Sequence, residues 1–223
     1  MPSVSIPRPT LPDAIFLLVF RRALGRRLRR TPGVRARALV AAARGRAVAL
    51  VEANAGRVVD RPSASHLRVC AAVAGAYMAL RTELHDDAAA FAIVREVWLG
   101  AAAGPPAWLM RWLPWLTRDP FRFTVKVSKT KQTAYYGISF RRRVEQDDDD
   151  AYRMTVTECF YQRFFVDLGV PELAPMFCEK DFDWAGAIDP RRHGFAFARP
   201  TTLAAGGDGC RFEMRRVARA GAR

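Results

Sequence analysis

The hydrophobic period of this chain changes at Phe121, and that change limits the folds open to it. Upstream, apolar residues recur three or four apart: Leu67, Cys70, Val73, Tyr77 and Leu80 in one run, Phe91, Val94, Val97 and Trp98 in the next. That spacing predicts two amphipathic helices, the first capped by Ser65 and the second by Asp86 or Asp87, which pair as a hairpin. From Phe121 the period falls to two, with Phe121, Phe123, Val125 and Val127 alternating with Arg122, Thr124, Lys126 and Ser128. Such alternation predicts a half-buried strand. Helices first and strands second give an α+β fold: a helical N-terminal half packed on a C-terminal antiparallel sheet with short inserted helices.

The rest of the pattern fills in that outline. Gly104, Pro105 and Pro106 break the chain, and Trp108, Trp112, Trp115 and Leu116 form an aromatic segment suited to a packing plug or a pocket wall. Ala134 to Phe140 reads as a second strand, Arg141 to Arg143 and Asp147 to Asp150 as a charged excursion in solvent, and Tyr152 to Thr157 as a third strand. That strand leads straight into Glu158 and Cys159, after which Phe160, Phe164, Phe165 and Leu168 have helical spacing ended by Gly169 and Pro171. A second short helix from Pro171 carries Phe177, Cys178 and Asp181. Phe195 to Thr202 and Cys210 to Val217 read as a hairpin with Gly206, Gly207 and Gly209 at its tip.

At 223 residues, half of them apolar, the chain can bury a substantial core. The net charge of +14 is concentrated at one end: residues 1 to 60 hold twelve Arg and no Lys against Asp13, Glu52 and Asp60, a net of +9. Lys occurs only at 126, 129, 131 and 180, while Arg and Ala abound, a pattern that a GC-rich genome also produces. No zinc finger, helix-turn-helix spacing or aromatic-basic RNA motif accompanies the basic stretch, so a specific nucleic-acid partner is not expected, while weak contact with an anionic surface is. The apolar run Ile15 to Phe20 precedes its arginines, the wrong order for a secretory signal, and is too short to span a bilayer. It reads as a helix docking its apolar side on the domain and ending at Pro32 and Gly33. The expected organisation is a basic helical arm over 1–60, one α+β domain over 61–217 and a tail over 218–223. A cytoplasmic location follows from four sparse cysteines that are too few to form a disulfide scaffold.

Those cysteines are unevenly placed. Cys70 sits alone in an alanine-rich helix, where a thiol fills space; Cys159, Cys178 and Cys210 all lie in the final third. Cys159 falls between a strand and a helix N-terminus, where unpaired N–H groups and the helix dipole depress a thiol pKa, which makes it the first candidate nucleophile. Cys178 and Asp181, three apart, share a helical face. Cys210 opens a strand. The gaps of eighteen residues between Cys159 and Cys178 and twenty-eight between Asp181 and Cys210 lack the paired hooks of a structural zinc site, so neither a metal nor a cofactor is expected.

The segment C-F-Y-Q-R-F-F-V-D-L-G-V-P-E-L-A-P-M-F-C-E-K-D, Cys159 to Asp181, with F-A-R-P-T-T-L-A-A-G-G-D-G-C-R-F, Phe197 to Phe212, resembles the L-2-amino-thiazoline-4-carboxylic acid hydrolase family. His66 and the Tyr77-Met78-Ala79-Leu80 stretch fit its general layout, and the resemblance covers residues 60 to 217. It implies a bacterial hydrolase with a small-molecule substrate, opening a cyclic amidine such as a 2-aminothiazoline-4-carboxylate to an N-carbamoyl-cysteine product. Such chemistry needs a nucleophile or activated water, a proton carrier and a cation for the carboxylate. Cys159 then attacks the amidine carbon, Cys178 completes the pocket, Asp181 orients water or shuttles protons, and His66 is the alternative base or a surface capping residue. Arg199 with Thr201 and Thr202 clamps the carboxylate, or Arg199 lies on a solvated strand face. Backbone N–H groups at Gly206 and Gly207 stabilise a developing anion, or those glycines only shape a turn; Cys210 forms a wall. A non-catalytic ligand- or metal-binding sensor of the same fold, or a tailoring enzyme of specialised metabolism, stands as the alternative.

Overall fold

The computed structural model describes residues 6–101, 112–113, 116–182 and 184–217, apart from the side chains of 181 and 182. The fold is α+β, with helices through the first hundred residues and a four-stranded antiparallel sheet in the C-terminal part. Two compact units divide it: residues 6–101 together with Phe164–Met176, and the remaining described residues. Among the described residues no helix is long and apolar enough to cross a membrane.

In the helical unit, α1 (Leu11–Leu28) begins at a reciprocal cap: the Asp13 amide donates to Thr10 Oγ1 and the Thr10 amide to Asp13 Oδ2. It buries Phe20, Leu24 and Leu28, one per helical turn, and sets Phe16 edge-on against Trp98 at 5.7 Å. α1 ends before Pro32 and Gly33, as the sequence predicts. Helix α2 (Ala36–Ala53) packs against α3 (Arg61–Leu84), and small side chains let the two backbones approach closely. The closest point is Gly75, where an added Cβ would lie 2.7 Å from the Ala43 carbonyl oxygen. α3 starts four residues ahead of the predicted cap, because Asp60 accepts the Ser63 amide at 2.7 Å and Pro62 occupies the first turn; Ser65 instead donates to the buried Asp13 of α1. Helix α4 (Asp87–Ala101) is capped by Asp86, whose Oδ1 accepts the Ala89 amide. Side-chain bonds tie the segment 164–176 to this unit, among them Tyr77 hydroxyl to Glu172 at 2.6 Å, Arg57 to Asp167 at 2.7 Å and Trp98 Nε1 to the Met176 carbonyl at 3.1 Å.

The second unit is a sheet of order β1-β2-β4-β3, antiparallel throughout, with β1 Arg141–Asp147, β2 Ala151–Glu158, β3 Phe195–Ala198 and β4 Cys210–Arg216. Helix α5 (Pro120–Lys131) lays Phe121 and Val125 on one face of it, against Tyr152, Met154, Phe195 and Met214. Three shorter helices follow: α6 (Phe160–Asp167), α7 (Ala174–Phe182) and α8 (Pro190–His193).

Three local expectations are overturned. The alternating run at Phe121 is helix α5, not a strand: Asp119 accepts the Arg122 amide at 3.0 Å and Pro120 fills the first position, a start signal that outranks the alternation. A seven-residue alternation also contains two pairs spaced four apart, and the helix uses both, Phe121 with Val125 inward and Phe123 with Val127 on an adjacent face. Ala134 to Phe140 is a π-helical turn followed by a 3₁₀ turn, reversing at Gly137, whose φ is 68°. Arg141 to Arg143 are not a loop but the start of β1, whose charged, exposed side chains keep an edge strand from pairing with another sheet. The helices after Cys159 and Pro171 and the pairing of β3 with β4 match the sequence reading. Trp108, Trp115, Gly104, Pro105, Pro106 and the 218–223 tail lie outside the described residues, while Trp112 is exposed.

The α2–α3 contact generates a sign test. Gly→Ala inside a helix normally stabilises by about 0.5–1 kcal/mol, and Gly45→Ala, with nothing within 4 Å of the new Cβ, will do so. Gly75→Ala, which meets α2 backbone, will destabilise by about 1–3 kcal/mol as the helices separate. Thermal unfolding of the two variants beside the parent reads the difference.

Candidate active site

Cys159 occupies the single position between the end of β2 and the start of α6, and its carbonyl accepts the Arg163 amide that closes the first helical turn. The backbone N–H groups of Gln162 and Tyr161 donate to its sulfur, as expected of a thiol at a helix N-terminus. The thiol is nevertheless pushed up to about 12 rather than down. Burial of the sulfur is the leading cause, and the neighbouring Cys210 and Cys178 add to it, so together they outweigh the two amides. The expectation of an activated resting thiolate is therefore corrected: Cys159 rests as a neutral thiol.

The sulfur faces a cavity of about 190 Å³ lying wholly within the sheet unit. Its floor is the sheet face already packed by α5: Met154 and Val156 of β2, Cys210, Phe212 and Met214 of β4, and Phe197 of β3. The strand register sets Val156 directly opposite Cys210. Helix α5 supplies two stripes at four-residue spacing, Phe123, Val127 and Lys131 beside Thr124, Ser128 and Gln132, the last beginning the π-helical turn. Cys178 arrives from α7, and Arg199 from the residue after β3, so Cys159, Cys178, Cys210 and Arg199 share one cavity.

Two rows of aromatic rings wall it. Tyr136, Phe140, Tyr161 and Phe177 form one, successive ring centroids 5.0, 5.0 and 4.8 Å apart. Trp184, Phe197 and Phe212 form the other, at 4.9 and 6.4 Å, and the Arg199 guanidinium lies 5.8 Å from the Phe212 ring. Polar groups are few and mostly positioned by one another: Gln132 donates to the Tyr152 hydroxyl at 2.7 Å and to Ser128 at 3.3 Å, Arg199 to the Cys178 carbonyl at 2.9 Å, and the Leu203 amide to the Cys210 sulfur at 3.3 Å. Among the described residues, no group of three or more His, Cys, Asp or Glu is placed to hold a metal ion.

The sequence model of the L-2-amino-thiazoline-4-carboxylic acid hydrolase family matches residues 68–214, about two thirds of the chain, and that stretch contains every described residue lining the cavity. The chain belongs to this hydrolase family. No curated protein and no solved structure matches it. The family's name supports a hydrolase and carries no catalytic detail, which leaves each residue's place to the geometry.

For this hydrolase the remaining predicted site residues lie as follows. Thr201 and Thr202 do not line the cavity: Thr201 donates to the Gly209 carbonyl at 2.8 Å, and Thr202 accepts the Ala205 amide. The Gly206 and Gly207 amides donate to the carbonyls of Leu203 and Thr202, so they close their own turn. His66 is buried in α3 of the helical unit and is not among the residues lining the cavity. Asp181 lies in the last turn of α7, but its side chain is outside the described residues. Sequence reasoning missed Ser128, Gln132, Lys131, Arg142, Tyr136 and Tyr161. The missed signal was the Asp119-Pro120 helix start; once α5 is a helix, residues 124, 128 and 132 fall on one face.

A neutral, desolvated Cys159 predicts slow chemistry with thiol reagents. At pH 8, iodoacetamide will alkylate Cys159 more slowly than free cysteine, and the rate will keep climbing as pH rises past 9 toward 12. The same shift lends stability in full below the ordinary thiol pKa near 9.0, and that contribution fades as pH rises through 12. Peptide mass spectrometry of timed alkylations follows this one cysteine; labelling faster than free cysteine at pH 8 would restore the thiolate.

Proposed function

We propose that this chain opens a small cyclic amidine carboxylate of the 2-aminothiazoline type, giving an N-carbamoyl-cysteine-type product, with Cys159 as the nucleophile. The observation that carries the reading is the convergence of Cys159, Cys178, Cys210 and Arg199 on one cavity inside the family-matched stretch. A neutral thiol can begin the reaction if the substrate supplies the base. The Cys159 sulfur forms a bond to the amidine carbon, the C=N electron pair moves onto nitrogen, and that nitrogen takes the thiol proton. Collapse of the adduct breaks the ring C–S bond, and the ring sulfur leaves as a thiol with a proton from nitrogen. Water then adds to the same carbon, the bond to Cys159 breaks, and the hydroxyl proton returns to its sulfur as the carbonyl forms.

Two features support Cys159 over its neighbours. Its sulfur receives the Gln162 and Tyr161 amides at a helix N-terminus, which favour negative charge on it as it leaves in the last step, whereas Cys210 accepts one loop amide. Cys178 stands mid-helix in α7, away from any first turn, and serves as wall.

The test uses 2-aminothiazoline-4-carboxylate and follows release of new thiol with a chromogenic disulfide. Cys159→Ala will fold normally by circular dichroism and lose activity by at least 10³-fold, while Cys210→Ala will keep activity within about tenfold. Turnover by Cys159→Ala at the parental rate would leave a non-catalytic role for the thiol.

A further inference from the structure

The charges around the cavity are one-sided. Lys131, Arg142 and Arg199 line it, and none of the described residues lining it is Asp, Glu or His. Among the described residues neither Lys131 nor Arg142 has an ion pair. Arg142 is half-buried, and one of its guanidinium nitrogens donates to the carbonyls of Gly137 at 3.1 Å and Phe140 at 3.3 Å, which fixes the group at the reversal after α5. A cation held in place beside an apolar space, with no acid among the described residues lining it, is set to bind an anion. The body of that space is apolar and lined by the rings of both aromatic rows. Its volume of about 190 Å³ exceeds the roughly 150 Å³ in which an apolar protein cavity takes up benzene.

We propose that the cavity selects an organic carboxylate bearing a flat apolar body of at least one six-membered ring's size, the carboxylate bound by Arg142 and Lys131 and the body lying between the aromatic rows. This rests on reading the cavity as the substrate site and narrows the substrate to a ring carboxylate carrying an aryl substituent. It moves carboxylate recognition to the last residue of α5 and the second residue of β1, leaving Arg199 to hold the Cys178 carbonyl and stack near Phe212. The polar stripe Ser128 and Gln132 remains to meet the amidine end.

Calorimetric titration of the full chain with four probes tests this without needing turnover. Benzoate will bind at least tenfold more tightly than benzamide, its neutral counterpart, than benzamidinium, its cationic one, and than acetate, which lacks the ring. Lys131→Gln and Arg142→Gln will each weaken benzoate at least fivefold and leave benzamide within twofold. Because Arg142 also ties down the turn at Gly137, the exposed Lys131 is the variant that stands if Arg142→Gln misfolds. Benzamide or acetate equal to benzoate, no binding by any probe, or benzoate binding indifferent to Lys131→Gln overturns the proposal. If benzoate binds as stated but neither 2-aminothiazoline-4-carboxylate nor its aryl-substituted analogue is opened, the hydrolytic reading fails and the anion site stands; opening without benzoate binding has the reverse meaning.

Discussion

The site depends on the register of β2 against β4. Val156 pairs with Cys210, which brings the start of β4 beside the end of β2 and so beside Cys159, three residues further on. A slip of one residue would turn Cys210, Phe212 and Met214 to the other face of the sheet and remove the cavity floor. Gly209 holds that register by what it lacks: a Cβ there would lie 2.6 Å from Thr155 Cγ2 and 3.2 Å from the Val156 carbonyl oxygen, so only hydrogen fits between the strands at this point. The loop that delivers Gly209 is closed by its own bonds, Thr201 to the Gly209 carbonyl and the Gly206 and Gly207 amides to loop carbonyls. Residues that look like donors to a substrate are instead what fixes the strand.

At Cys159 two general effects compete, and their magnitudes decide the outcome. A helix N-terminus favours a thiolate by on the order of 1 kcal/mol, whereas full burial can shift an ionisable group by several units. Here burial wins, and the neighbouring thiols act in the same direction. In the proposed reaction the proton acceptor comes from the substrate, and an amidine nitrogen is a suitable one. The thiols that line the cavity come from the β2–α6 junction, α7 and β4, and the cations from the end of α5, the start of β1 and the residue after β3.

Much of this was legible in the chain. The strand into Cys159, the helix after it, the short helix carrying Cys178 and the β3–β4 pairing all follow from local period and from Gly and Pro punctuation, and local signals survive folding because each is satisfied within a few residues. Helix α5 was not legible from period alone. Seven residues of alternation fit a strand and a two-faced helix equally, and burial against Tyr152 and Phe195 on one side with a cavity on the other selects the helix. Ser128, Gln132 and Lys131 stayed hidden for the same reason, since a wrong period scatters them over two faces; Arg142 stayed hidden because its charged run reads as a solvent loop rather than as the start of β1.

The sequence by itself determined the fold class, the family and the identity of the thiols, because hydrophobic period and motif spacing are properties of neighbouring residues. Tertiary structure alone decided which of the thiols share a cavity, that Cys159 rests protonated, and that three cations and no described acid surround the space. Burial and strand register are set by residues distant in the chain, and a protonation state follows from the dielectric those residues build rather than from the residue's own position at a helix end.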